Sequence, residues 1–119
     1  MNVAVLGASN KPDRYSYQAV MLLKEKGHNV YPVHPRIKEI EGMNVYPVLN
    51  DIKDQVDTIS MYVAADISNG LTEDLIARSP RRIIFNPGAE NPELEEKLRL
   101  KGIQPINACT MVMLRTNQF

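Results

Sequence analysis

Gly7-Ala8-Ser9-Asn10-Lys11 follows a short apolar run, Val3 to Leu6, at the place where a nucleotide-binding fold turns a strand into a helix around a phosphate. Gly7 permits the tight turn. Ser9 stands where a second glycine is usual and offers a hydroxyl as well as a backbone N–H. Lys11 puts a cation beside a helix N-terminus, which already favours anions. The chemistry available here is capture of a phosphate ester. The group is not a complete G-x-G-x-x-G, and a plain turn with a solvated lysine has the same composition.

His34-Pro35-Arg36-Ile37-Lys38 closes the second apolar run, Val30 to Val33. An NAD site usually places Asp or Glu there to accept from the ribose 2′-hydroxyl. This chain has no acid at that point and carries two permanent cations, Arg36 and Lys38, which suit a ribose phosphate. NADP carries one at the 2′ position and coenzyme A at the 3′ position. The alternative reading is a solvated charged loop. Further on, Met61-Tyr62-Val63-Ala64-Ala65 supplies an apolar edge for an adenine or a pantetheine arm, or else ordinary core. Asn86-Pro87-Gly88-Ala89-Glu90 either lines the path of the ligand or is merely a turn.

Groups able to break or make bonds are few. His28 follows Gly27 in the turn before the second strand, away from the expected crevice, and is read as structural. His34 is better placed but has no evident orienting partner in sequence. Cys109, the single cysteine, near a crevice-facing end, is a nucleophile or mixed-disulfide candidate, though such a cysteine in apolar company is commonly an inert small hydrophobe. Asp51, Asp54 and Asp57 recur at threes without His or Cys partners, so no metal site is expected. The chain is therefore read as binding without catalysis of its own.

The elements that must position these residues follow from periodicity. Apolar strands are expected at Val3–Leu6, Val30–Val33, Thr58–Val63, Arg82–Phe85 and Ile103–Ile106. Between them lie helices: one capped by Ser16 and stopped by Gly27, one with Ile67, Leu71 and Leu75 on a face, and one begun at Pro92 and stopped by Gly102. Residues 36–56 show no regular pattern, and the apolar tail from Cys109 to Leu114 is expected to pack down. Alternating strands and helices require an α/β architecture: a Rossmann-like, doubly wound, parallel five-stranded sheet with helices on both faces, forming one domain over residues 1–119. In such a sheet the ligand crevice lies beyond the carboxyl ends of the strands.

Bulk composition limits the partners. The 119 residues include 14 Lys plus Arg and 14 Asp plus Glu, so no global field exists to hold nucleic acid. No run approaches the ~20 apolar residues that span a bilayer, and no secretory signal is evident, so the expected location is the cytoplasm.

With Gly7-x-Ser9-x-Lys11, Val33-His34-Pro35-Arg36, Val45-Tyr46-Pro47, Val56-Asp57 and the late Cys109, the sequence resembles the stand-alone CoA-binding domain family, itself similar to the nucleotide-binding domain of the succinyl-CoA synthetase alpha subunit. The resemblance runs from Val3 to about Leu114. It implies coenzyme A or an acyl-CoA as ligand, with Gly7, Ala8, Ser9, Asn10 and Lys11 at the phosphates. Ser16 would lie at the same helix start, and His34, Pro35, Arg36 and Lys38 near the adenosine end. Tyr62, Val63 and Ala64 would run along the ligand, and Asn86 and Gly88 beside its path. Two departures stand out: His34-Pro35 where the family commonly reads Asn-Pro, and Asn86-Pro87-Gly88 where a more apolar stretch is usual. The alternatives are an NADP-binding protein or a CoA-ligase-type subunit acting with a partner chain. A protein partner or a homo-oligomer is compatible with either.

Overall fold

Val3, Ala4, Val5 and Leu6 all lose their exposure to solvent, because the strand they form lies between two others and is covered on both faces. The computed structural model describes residues 1–119. In chain order its elements are β1 (Asn2–Leu6), α1 (Tyr15–Glu25), β2 (Asn29–Val33), β3 (Glu39–Ile40) and β4 (Met43–Asn44). These are followed by a 3-10 turn (Leu49–Asp51), β5 (Thr58–Met61), α2 (Ala65–Ser68), a second 3-10 turn (Asn69–Leu71) and α3 (Thr72–Arg78). The chain then forms β6 (Arg82–Phe85), α4 (Pro92–Leu100), β7 (Gln104–Asn107) and α5 (Thr110–Arg115). The main sheet has five strands in the order β2-β1-β5-β6-β7, every pair parallel. This is the expected α/β Rossmann-like architecture. The strand order reverses between β1 and β5, which is where such sheets open a crevice.

Alternation along the strands builds the two cores. Val3 and Val5 of β1 pack with Val20 and Leu23 of α1 and Leu114 of α5 on one face. Ala4 and Leu6 pack with Leu75 of α3 and Leu94 and Leu98 of α4 on the other. The register is level at the carboxyl edge. Leu6 lies opposite both Val33 and Met61, Met61 opposite Phe85, and Phe85 opposite Asn107. Backbone bonds continue past that edge, with Gly7 N–H donating to Val33 O, Tyr62 to Leu6 O, Asn86 to Met61 O and Ala108 to Phe85 O. Gly7, His34, Tyr62, Asn86 and Ala108 therefore leave the sheet side by side.

Several expected boundaries are corrected. Ser16 does not cap α1: the helix begins two residues earlier than expected, at Tyr15, with Arg14 extended at the cap position, and Ser16 is a buried residue of its first turn. The third strand ends at Met61, which frees Tyr62 and Val63 from the sheet. The last strand runs Gln104–Asn107 rather than from Ile103. The irregular stretch contains the hairpin β3–β4, closed by Glu41 and Gly42 at positive φ and anchored by buried Ile40.

The expected helix through Ile67, Leu71 and Leu75 is broken at Asn69-Gly70-Leu71. Gly70 weakens the helix intrinsically. The buried Asn91 side chain then fixes the break, its amide donating to Ser68 Oγ and Asn69 Oδ1 at 2.8 Å each. Only Leu75 of the three is fully buried, while Ile67 is 56% exposed. Asn91 also caps α4, accepting from Leu94 N–H, and its own N–H donates to Glu95. Asn91→Ala is expected to cost about 2 kcal/mol, combining a lost cap with orphaned buried groups. Urea denaturation checks this, and a change below about 0.5 kcal/mol would show that Asn91 does not hold the break.

Candidate functional site

Three adjoining depressions line the carboxyl edge of the sheet. The first, about 240 Å³, is apolar and is walled by Leu6, Val33, Pro35, Pro47, Val48, Leu49, Val63, Ile67 and Leu71, with Gly7 at one side and Asp74 the single charged group. The second, about 400 Å³, is polar and is formed by Gly7, Ser9, Asn10, Lys11, Arg14, Ser16, His34 and Ile37, with Tyr15 and Tyr62 at its far wall. The third, also about 400 Å³, begins at those same tyrosines and continues past Asn86 and Pro87 to Cys109, Met111 and Arg115. Gly7 separates the first from the second, and Tyr15 and Tyr62 separate the second from the third.

Gly7 is required where it stands. Its φ is +83°, and a Cβ there would lie 2.9 Å from Val63 Cγ1 and 3.3 Å from the Tyr62 carbonyl carbon. The loop after it has spare donors. The amides of Gly7 and Ala8 both donate to Val33 O and that of Lys11 to Ser9 Oγ, but those of Ser9 and Asn10 have no partner in the protein, nor do the first-turn amides Tyr15, Ser16 and Tyr17. Unmet N–H groups at the start of α1, an eleven-residue helix, form a concavity of the kind that suits an anion. The only ion pairs in the molecule, Lys97–Glu93 and Arg99–Glu96, lie on α4, so Lys11 and Arg14 face the polar depression uncompensated.

The imidazole of His34 turns inward on its own loop. Its Nδ1 accepts from the amides of Arg36 at 3.0 Å and Ile37 at 3.1 Å. Burial, and secondarily the nearby Arg36 cation, lower its pKa below the usual histidine value. Tyr62 carries a hydroxyl that is buried and without a hydrogen-bond partner. Burial foremost, then the neighbouring Cys109, pushes that hydroxyl up to about 12, so it stays protonated at neutral pH. Asn86 is 1% exposed and fully engaged: its amide donates to Ser60 Oγ and Met61 O, and its Oδ1 accepts from Thr110 N–H. No group of three or more His, Cys, Asp or Glu side chains is placed to hold a metal ion. Nor is any helix long and apolar enough to cross a membrane.

Of the residues singled out in sequence, Gly7, Ser9, Asn10, Lys11, Ser16, His34 and Tyr62 meet in the polar depression. Pro35 and Val63 join the apolar one and Asn86 the third. Ala8 is buried beneath the loop. Arg36, Lys38, Ala64 and Gly88 are exposed and line none of the three; the Gly88 amide is already taken by Glu90. Pro47, Val48, Ile67 and Leu71 belong to no candidate segment, yet they make the apolar pocket. The Tyr46-Pro47 step was visible as a loop, and the Ile67/Leu71 spacing as a helix face, but neither pattern distinguishes a pocket wall from core.

The chain is similar to several known proteins in sequence and in fold. The family model described as "CoA binding domain" matches residues 1–115. The uncharacterised protein YneT of Bacillus subtilis is 26% identical over 100 residues, 84% of this chain and 74% of that protein. The alpha subunit of an ADP-forming acetate–CoA ligase of Pyrococcus furiosus is 41% identical over 56 residues, 46% of this chain but only 12% of the subunit. Among solved structures, a Thermus thermophilus protein superimposes with a TM-score of 0.91 at 30% identity, covering 99% of this chain and 90% of that one.

Proposed function

The chain belongs to the CoA-binding domain family, and from that premise we propose that it holds coenzyme A, or an acyl-CoA, across all three depressions and performs no bond chemistry on its own. The observation that carries this is their order. An apolar pocket, a concavity of free amides and cations, and a mixed channel lie in line, matching adenine, pyrophosphate and pantetheine along the ligand. Adenine would stack in the Pro35–Val63–Leu71 pocket. The pyrophosphate would take the amides of Ser9, Asn10 and the first turn of α1, with Lys11 beside them. The pantetheine arm would pass Tyr62 and bring its thiol towards Cys109. Arg36 and Lys38 are exposed on the loop that follows Pro35 and, under this reading, would meet the 3′-phosphate.

Calorimetry with CoA, dephospho-CoA and NADPH in parallel tests the reading. Micromolar CoA binding with little response to NADPH is expected; silence towards CoA would overturn it. The double variant Arg36→Ala/Lys38→Ala is expected to weaken CoA by about 2 kcal/mol, at roughly 1 per partly solvated charge-assisted contact. Dephospho-CoA should be nearly unaffected, and equal loss for both ligands would remove those residues from the 3′-phosphate.

The similarity to ligase subunits favours one elaboration, a subunit that presents CoA to a partner chain in the cytoplasm. The chain covers only a small part of those relatives. Under that elaboration, acyl transfer would require the second chain and would be absent from the isolated protein.

A further inference from the structure

The two amides converging on one imidazole nitrogen carry a further inference about the polar depression. We propose that His34 is a neutral hydrogen-bond donor of fixed tautomer, presenting Nε2–H to a phosphate oxygen of the bound ligand. The location of that phosphate rests on the function proposed above; the tautomer does not.

A nitrogen that accepts a hydrogen bond cannot also carry a proton along that lone pair. The Nδ1 of His34 accepts from Arg36 N–H and Ile37 N–H, so the proton of the neutral ring resides on Nε2. Charging the ring would place a proton on Nδ1 against two N–H groups, and burial beside Arg36 opposes the charge as well. The backbone that carries the ring is also held, because the His34 amide donates to Tyr46 O at 3.0 Å. Nε2 has no protein partner, and the ring lines the depression that also holds Ser9, Lys11 and Arg14. The division of labour is chemical. Lys11 and Arg14 supply charge, while His34 supplies one directed donor that carries none.

This role separates His34 from its cationic neighbours in experiments. Asparagine offers an acceptor oxygen for the same two amides and an N–H on its opposite side, so His34→Asn is expected to bind CoA within about threefold of the wild type. His34→Ala is expected to weaken CoA about tenfold, the worth of one hydrogen bond to a charged group. Its log-affinity should fall with log salt at the same slope as the wild type, whereas Lys11→Ala should reduce that slope.

The direct reading is nitrogen-15 NMR of the histidine side chains at pH 7. In the free protein His34 is expected as the Nε2–H tautomer, and an Nδ1–H tautomer or an imidazolium would overturn the proposal. CoA and inorganic pyrophosphate are then titrated separately. A downfield shift of the Nε2 proton with either supports the donor role. CoA binding without that shift, or undiminished CoA affinity in His34→Ala, overturns the role while leaving the CoA reading intact. Pyrophosphate binding with the shift but no CoA binding does the reverse. Binding of neither ligand removes both.

Discussion

Asn86→Ala should destabilise the protein by about 3–4 kcal/mol, although residue 86 lies in a turn at the carboxyl edge of the sheet. The side chain is 1% exposed and joins three elements. Its amide reaches Ser60 Oγ at 3.1 Å in β5, beside the Ser60–Thr110 hydroxyl pair at 2.8 Å, and Met61 O at 3.0 Å. Its Oδ1 receives the Thr110 amide, the first of α5, at 2.8 Å. Met61 O keeps a second donor in the Asn86 amide, so the main orphan in the variant is Thr110 N–H. One buried orphan costs about 1–3 kcal/mol and the cavity adds the remainder.

Asn86→Asp sharpens the test. It retains an acceptor for Thr110 but sets a carboxyl oxygen against Met61 O, so burial and repulsion raise the folded-state pKa above the ordinary value of about 4. A raised carboxyl pKa means that the folded state holds its proton longer. The variant is then most stable below about pH 4 and loses stability as pH rises through the folded pKa. Urea midpoints across pH read this directly. A flat profile, or loss below 1 kcal/mol for Asn86→Ala, would show that the network is dispensable.

Gly7→Ala should cost a comparable 3–4 kcal/mol and abolish ligand binding. At φ +83° an L side chain pays about 1–2 kcal/mol. The added methyl also meets Val63 Cγ1 at 2.9 Å, an overpacking cost of about 1–3 kcal/mol. Val63→Ala in the Gly7→Ala background should recover the second part and not the first, since residue 7 keeps its φ of +83°. A double-mutant cycle in urea, read at constant m-value, measures that coupling. Simple additivity would mean that the loop shifts to make room and that Gly7 is not the fixed wall between the first two depressions.

How much of this was legible beforehand depended on whether a pattern is local. The parallel sheet was legible because each strand is a short apolar run between turn residues, and the alternation of strands with helices leaves few topologies. The polar depression was legible for the same reason: Gly7, Ser9, Lys11 and His34 stand directly after β1 and β2. The apolar pocket was not. Ile67 and Leu71 recur with Leu75 at helical spacing, and only the break pinned by Asn91, some twenty residues distant in sequence, turns Ile67 outward and leaves Leu71 half-buried. Ser16 was assigned to a cap because its type and place fit one, but the turn at Pro12-Asp13 starts the helix earlier and draws it inward. The engaged state of Asn86 was equally invisible, since its partners lie in two other elements.

The backbone bonds that run past the carboxyl edge have a thermodynamic consequence. Gly7, Tyr62, Asn86 and Ala108 are each tied to the neighbouring strand at the point where the chain leaves the sheet. The first residue of each crossover thus inherits the rigidity of the strand beside it. A ligand meeting this rim would find a frame whose backbone order was settled when the chain folded, so association need not immobilise those residues again. Affinity in such a site comes from preorganisation, and the favourable enthalpy of each phosphate contact is less offset by conformational entropy than it would be on a mobile loop.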